Sequence, residues 1–459
     1  MIPPKPKARA DRVSLWTYAR LFRRDILSAQ PQRLYRAWMA EFRTPFFRSF
    51  MVNQPELVKT VLQDRPQEFP KSDRISEGLR PLLGDSVFLT NGPQWERQRR
   101  IIDPAFEGGR LTQTYPAIWA AACAARDRLA AKDGEVVEIE ELASHAAADV
   151  IFRTLFSIPI EDDIAQAVFH EFRAYQRSQP LLNLAALVPL PRWLPRLQTS
   201  RTRAAARRIR KLITRLCAAR QQDILAGTAP DDLATKIMTT RDPVTGARFT
   251  QAEMVDQVAI FFLAGHETSA SSLAWALYLL AESPDWQDRV AAEAQAAELS
   301  GTFAEVSRLK VSRDVFRETL RLYPPVPMMV RTAGCPQRFR DRDVPKDAQI
   351  VLSPWHLHRH ERLWDAPDAF DPARWQTENG KACARQAFIP FSAGRRVCTG
   401  AGFAMVEGVL LLSLLVRDLK LAADQRPEPV AHLTVRAKTG IKLRIESRRQ
   451  IRAPEPAPP

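Results

Sequence analysis

Residues 250 to 280 constrain this chain more than any other stretch. Thr250, followed three residues later by Glu253, forms a capping-box pattern, in which hydroxyl and carboxylate each satisfy a backbone N–H at a helix start. Apolar character then continues through VAIFFLAGHETSASSLAWALYLLA. A helix apolar on most sides is buried, so this segment is expected to run through the interior. Only Ala264-Gly265-His266-Glu267-Thr268 departs from that character in mid-helix. A small pair followed by an acid and an alcohol can open a groove, admit water and pass protons. The plainer alternative for Thr268 is a bond to the carbonyl one turn back.

A second constraint lies at Phe391 to Gly400, FSAGRRVCTG, just ahead of an apolar, helix-patterned run from Phe403 to Val416. A thiolate of Cys398 at a helix N-terminus is favoured by the dipole and by free backbone N–H groups. If that sulfur binds haem iron, nearby N–H groups can donate to it and tune the metal. Gly394 and Gly400 allow a tight turn against a flat macrocycle, Phe391 shields the sulfur, and Arg396 meets a haem carboxylate. A lone cysteine is more often a small buried hydrophobe. Zinc is disfavoured because no second Cys or His lies nearby at ligand spacing.

Two weaker patterns accompany these. In NGPQWERQRRIIDPAF, Trp95 and Arg99 are four apart and share a helix face. In FRETLRLYPP, Glu318 and Arg321 are one turn apart, a pairing worth only a few tenths of a kcal/mol on a surface.

Taken together, these phrases resemble the cytochrome P450 superfamily, of the bacterial soluble type. FSAGRRVCTG fits F-x-x-G-x-R-x-C-x-G at every fixed position, AGHET fits A-G-x-[DE]-T, and FRETLR fits E-x-x-R. W-x-x-x-R with its trailing P-A-F is similar to the helix crossing the haem edge. The resemblance implies a mainly α fold with a smaller β-rich portion, as one domain over 1–459 with flexible tails near 1–10 and 448–459. It implies haem b between the 250–280 helix and the Cys398 loop, with Cys398 as the proximal iron ligand. Trp95, Arg99, Arg331 and Arg396 would meet propionates, and Phe391 and Gly400 would complete the cofactor loop. Gly265 would line an oxygen groove, and Glu267 and Thr268 would deliver protons. Phe262, Ala264, Val326 and Met328 would border the substrate. Arg374, in FDPARW, would join Glu318 and Arg321 in a structural brace. His266 and His358 receive no ligand role.

The implied activity is monooxygenation of a hydrophobic compound by O2. A peroxide-driven peroxygenase and a non-enzymatic haem sensor are the alternatives; an acid–alcohol pair argues against the first. Electrons would come from a separate ferredoxin-type donor. The chain's net charge of +15 suits an acidic partner, expected near Arg97, Arg100 and Arg395. No nucleic-acid motif is evident. Five scattered cysteines (123, 217, 335, 383, 398) fit a reducing cytoplasm. No run approaches about 18 apolar residues, which excludes a spanning helix.

Several local expectations complete the reading. An amphipathic helix is expected within 11–45, then a short strand and a helix starting near Gln54 with Pro55 in its first turn. Phe69 to Thr90 reads as an irregular substrate-facing loop and 111–179 as helical; 180–194 reads either as core or, as the resemblance implies, as a lid over the substrate channel. A basic helix follows near 200–220, with peripheral membrane contact as its secondary reading. A β-hairpin is expected near 433–445, its turn at 437–440 reaching the pocket.

Overall fold

The computed structural model describes residues 1–43, 48–107, 109–178, 200–431 and 433–448. The helices are α1 (Leu15–Arg24), α2 (Pro55–Lys59), α3 (Asp73–Leu83), α4 (Gly92–Ile102), α5 (Arg110–Ala130), α6 (Ile139–Phe156), α7 (Asp163–Ser178) and α8 (Ser200–Ala226). After them come α9 (Leu233–Thr239), α10 (Gln251–Ala281), α11 (Pro284–Ala296), α12 (Lys310–Leu322), α13 (Pro354–Leu357), α14 (Glu378–Gln386) and α15 (Ala401–Arg417).

The organising element is α10. Its capping box is formed in both directions: the Glu253 N–H donates to the Thr250 hydroxyl at 3.3 Å, and the Thr250 N–H donates to Glu253 at 2.8 Å. From Ala270 to Ala281 every residue is buried, so no face of that half is solvated. The neighbouring α6 and α15 pack along it. Trp275, Leu277, Leu279 and Leu280 are fully enclosed, each stabilising the fold by roughly 1.5–3 kcal/mol.

The β-rich part holds β1 (Met39–Arg43), β2 (Arg48–Val52), β3 (Val136–Glu138), β4 (Met329–Thr332), β5 (Gln337–Phe339), β6 (Arg342–Val344) and β7 (Gln349–Leu352). Its main sheet runs β1-β2-β7-β4, with β2 and β7 parallel and the outer pairs antiparallel. The register sets Arg331 opposite Ile350, and an isolated bridge joins Lys71 to Arg331. Near the C-terminus lie β8 (Leu419–Ala423), β9 (Pro429–Ala431), β10 (Val435–Ala437) and β11 (Lys442–Ser447).

The amphipathic helix expected within 11–45 forms as α1, followed by the strand β1. Three other expectations change. The stretch Phe69–Thr90 contains α3 despite Gly78 and Pro81, because Leu79, Leu82 and Leu83 bury a face and packing overrides propensity. The first ten residues are anchored: Tyr323 Oη donates to the Pro4 carbonyl at 2.6 Å, and the Arg9 N–H donates to Gln30 at 3.1 Å. The expected hairpin is split, since β10 pairs with β9 whereas β11 pairs with β8 and β3.

The helix starting at Gln54 with Pro55 in its first turn forms as expected, as does helix 401–417. The 180–194 stretch and residues beyond 448 lie outside the described residues. Among the described residues, no helix is long and apolar enough to cross a membrane.

Candidate functional site

Cys398 sits in a loop closed by its own N–H, which donates to the Phe391 carbonyl at 2.9 Å. Gly394 has φ +68°, and a Cβ there would lie 2.2 Å from the Leu62 carbonyl oxygen, so only glycine fits. Gly400 differs: its φ is −86° and the space at its Cβ position is open. The backbone-freedom argument therefore holds at 394 and not at 400. Cys398 retains accessible surface even though protein surrounds it on most sides. That enclosure pushes the thiol above its ordinary value, against the pull of the Gly400 N–H and the Arg99 charge. A thiolate here therefore needs a further positive partner, which a bound metal provides by deprotonating its thiol ligand.

Beside the loop, three cations converge on one indole. Lys71 Nζ stands 5.6 Å from the centre of the Trp95 ring, Arg99 5.9 Å and Arg396 5.4 Å. Arg331 joins them through its charge on Lys71 and its bridge to it. Carboxylates are scarce here. Arg99 pairs with Asp103 at 2.8 Å, while among the described residues Lys71, Arg331 and Arg396 have no acid within ion-pair distance. The Nε atoms of Arg331 and Arg396 are buried without a hydrogen-bond partner. Burial first, then the charges of Arg331, Arg396 and Arg99, holds the Lys71 ammonium well below its ordinary range. Burial and Arg396 bring Arg331 down to about 10. Buried cations without counter-charge are costly, and a ligand with two carboxylates relieves that cost. The residues fit haem propionates.

Three of these cations were anticipated from sequence; Lys71 was not. Its ammonium donates to the Val87 and Thr90 carbonyls at 2.6 and 3.1 Å, and a lone lysine in FPKSD gives no periodic signal. Arg396 also donates to the Pro66 and Phe69 carbonyls, both at 2.9 Å. Arg99 donates to the Val397 carbonyl at 2.8 Å, which ties α4 to the cysteine loop.

In the middle of α10, Ala264 is exposed within a helix that is otherwise mostly buried. The helix runs unbroken through Thr268, whose hydroxyl donates to the Ala264 carbonyl at 2.6 Å, the plainer of its two expected roles. Gly265 faces Ile151 of α6, only 2.9 Å from a Cβ at that position. Its missing side chain thus serves helix packing. Glu267 is only 8% exposed and well satisfied. It accepts from Thr434 at 2.5 Å and Gln176 at 3.2 Å, and it pairs with Arg436 of β10. Thr434 and Arg436 thus reach α10 from the C-terminal region, as does Val435, whose carbonyl accepts from the Ser271 hydroxyl at 2.5 Å. His266 is buried against Ser144 at 2.6 Å, and desolvation lowers it to about 3; it is a neutral packing residue.

Among the expected pocket residues, Ala264, Val326 and Met328 keep accessible surface. Phe262 does not: it is 3% exposed and packs on Phe152 at 4.5 Å and Phe172 at 5.9 Å. Residues two apart on a helix point about 200° away from each other, so Phe262 and Ala264 cannot share a face.

The Glu318, Arg321 and Arg374 side chains meet in the interior. Glu318 binds Arg321 at 2.8 Å and Arg374 at 3.2 Å, with the glutamate and Arg321 fully buried. The remaining guanidinium protons go to the carbonyls of His358, Pro367 and Ala369. The expected docking arginines are partly committed: Arg97 to Glu253 at 2.6 Å and Arg100 to Asp242 at 2.6 Å. Only the 3.3 Å contact of Arg395 with Glu96 leaves an arginine largely exposed.

Comparison with known proteins agrees with this geometry. The family model described as cytochrome P450 matches residues 34–445. A cyclooctat-9-en-7-ol 5-monooxygenase of Streptomyces melanosporofaciens is 31% identical over 85% of this chain and 83% of its own. A pentalenene oxygenase of Streptomyces avermitilis is 29% identical over 86% and 87%. A solved cytochrome P450DA heme domain aligns with TM-score 0.80 over 98% of this chain and 99% of its own, at 23% identity, which speaks to the fold.

Proposed function

This chain belongs to the cytochrome P450 family, and from that premise we propose which of its residues carry the work. It is an oxidoreductase that incorporates oxygen from O2, and its cofactor is haem b. When bound, the haem supplies an iron centre at which dioxygen is activated. Cys398 would ligate that iron, and Lys71, Arg99, Arg331, Arg396 and the Trp95 indole would hold the propionates. The cluster of cations beside the cysteine loop without an acid in ion-pair distance among the described residues is the single observation that carries this assignment.

On α10, Thr268 and Glu267 would handle protons. The Thr268 hydroxyl, donating to Ala264, keeps its lone pairs free to accept from water or a substrate-side donor. Glu267 is held back by Arg436, Thr434 and Gln176, so moving a proton requires that its contact with Arg436 loosen. Glu318, Arg321 and Arg374 brace the fold and touch no substrate.

The substrate is a hydrophobic organic compound, bordered by Ala264, Val326 and Met328. The names of the two bacterial relatives, which cite cyclooctat-9-en-7-ol and pentalenene, agree with that class. Electrons come from a separate ferredoxin-type protein with an acidic surface, and Arg395 is its most exposed contact. Five unpaired cysteines support a cytoplasmic setting.

The test is turnover of hydrophobic candidates under labelled dioxygen with a ferredoxin and its reductase. One labelled oxygen atom per product is expected, and Thr268→Ala should send most electrons to released hydrogen peroxide instead. Product formed only from added peroxide, and unchanged in Thr268→Ala, would overturn the monooxygenase assignment.

A further inference from the structure

Away from the cysteine loop and α10, the β-rich part carries an open cleft of about 210 Å3, walled by Arg36, Trp38, Arg340, Asp341, Arg342 and Arg362. We propose that this cleft binds a compact multivalent oxyanion, a phosphate or phosphomonoester group. Four guanidiniums face one carboxylate in its wall. Among the described residues, neither Arg340 nor Arg362 has an acid within ion-pair distance. Arg340 donates instead to the neutral Gln54 amide oxygen at 2.6 Å, and Arg362 stands 5.5 Å from the Trp38 ring centre.

The other two pairings are loose. Arg36 reaches Glu361 at 3.5 Å, and Arg342 reaches Asp341 at 3.8 Å and Glu41 at 3.9 Å. Exposed contacts of that length contribute little, and Glu41 is already bound by Arg43 and Arg48 at 2.7 Å. The cleft therefore carries unspent positive charge.

Its shape is also held. Arg340 occupies the β5–β6 turn with φ +56°, a position that favours glycine or asparagine. Trp38 is fixed by a stack on His360, ring centres 4.3 Å apart and 11° from parallel. The volume is about seven times one water's share of roughly 30 Å3. Guanidinium forks match phosphate oxygens two at a time.

A soluble phosphomonoester and a lipid phosphate headgroup offer the same chemistry, so the experiment has two arms. The intact haem-loaded chain is titrated with pyrophosphate by calorimetry at low ionic strength, where exposed charges are least screened. It is also sedimented with phosphatidylcholine vesicles, with and without phosphatidic acid. One-to-one pyrophosphate binding, weakened at least tenfold in Arg340→Gln/Arg362→Gln, supports the site with a soluble ligand. Binding only to phosphatidic acid vesicles, lost in the same variant, supports it with a lipid. Absence of both, or binding that the variant leaves intact, overturns it. An unchanged unfolding midpoint checks that the variant folds; should it not, Arg362→Gln alone is read the same way. The proposal stands independently of the haem assignment.

Discussion

Two clusters of buried arginine in this molecule have opposite electrostatics. In one, Glu318 lies between Arg321 and Arg374, and spare guanidinium protons reach backbone carbonyls. In the other, Lys71 and Arg396 crowd Trp95, Arg331 is bridged to Lys71, and none of the three has a carboxylate in ion-pair distance among the described residues. The first is complete as the chain folds. The second is complete only when something anionic arrives. Satisfaction within the chain marks a structural element, and an unbalanced charge marks a binding one.

The largest test of that contrast is Glu318→Ala. Removing the shared carboxylate leaves two buried guanidiniums unpaired, and a loss of about 3–5 kcal/mol is expected, equal with and without haem. Denaturant unfolding of both forms measures it. A loss confined to the haem-bound form would erase the distinction.

Arg331→Gln should behave in the opposite sense. The haem-free protein should unfold at the same or slightly higher denaturant, because a strained charge has gone. Haem loss to an acceptor protein should be roughly tenfold faster, about 1.4 kcal/mol. Destabilisation of the haem-free form by several kcal/mol would place Arg331 with the structural cluster instead.

A smaller signature lies in pH. Lys71 is held well below the ordinary value of 10.5 in the folded chain, so between its folded and unfolded values the native state binds fewer protons than the unfolded one. Stability of the haem-free protein should therefore rise with pH across that window, by no more than about 1.4 kcal/mol per unit. Below the folded value the penalty is fully present. Unfolding midpoints measured from pH 7 to 10 should show the slope, and Lys71→Met should flatten it; haem should also flatten it, by supplying the counter-charge.

The Glu267–Arg436 pair lies between the two extremes, with side chains 8% and 35% exposed. Arg436→Gln should change turnover about threefold and alter its solvent isotope effect while leaving the unfolding midpoint nearly unmoved. A large stability loss with an unaltered isotope effect would make the pair structural.

Local pattern explains what could be read from sequence. The capping box, the apolar run of α10 and the Glu318–Arg321 spacing are all short-range features, and each forms as expected; in the cysteine loop the glycine expectation holds at 394 and not at 400. The misses are long-range. Lys71 acquires its setting through a bridge to Arg331, and Glu267 through Thr434, 167 residues away. No periodicity carries such pairings. Phe262 packs against Phe152 and Phe172 of neighbouring helices, contacts that no local pattern carries. Gly265 resists reading because its neighbour Ile151 comes from another helix.

The most direct measurement is the absorption difference spectrum of the reduced protein with and without carbon monoxide, taken for wild type, Arg331→Gln and Cys398→Ser. A strongly red-shifted Soret band in the first two, absent from the third, is the result expected from a Cys398 thiolate on the iron with Arg331 serving only to hold the propionates. A band that survives in Cys398→Ser, or an ordinary haem spectrum in folded wild-type protein, would contradict the account.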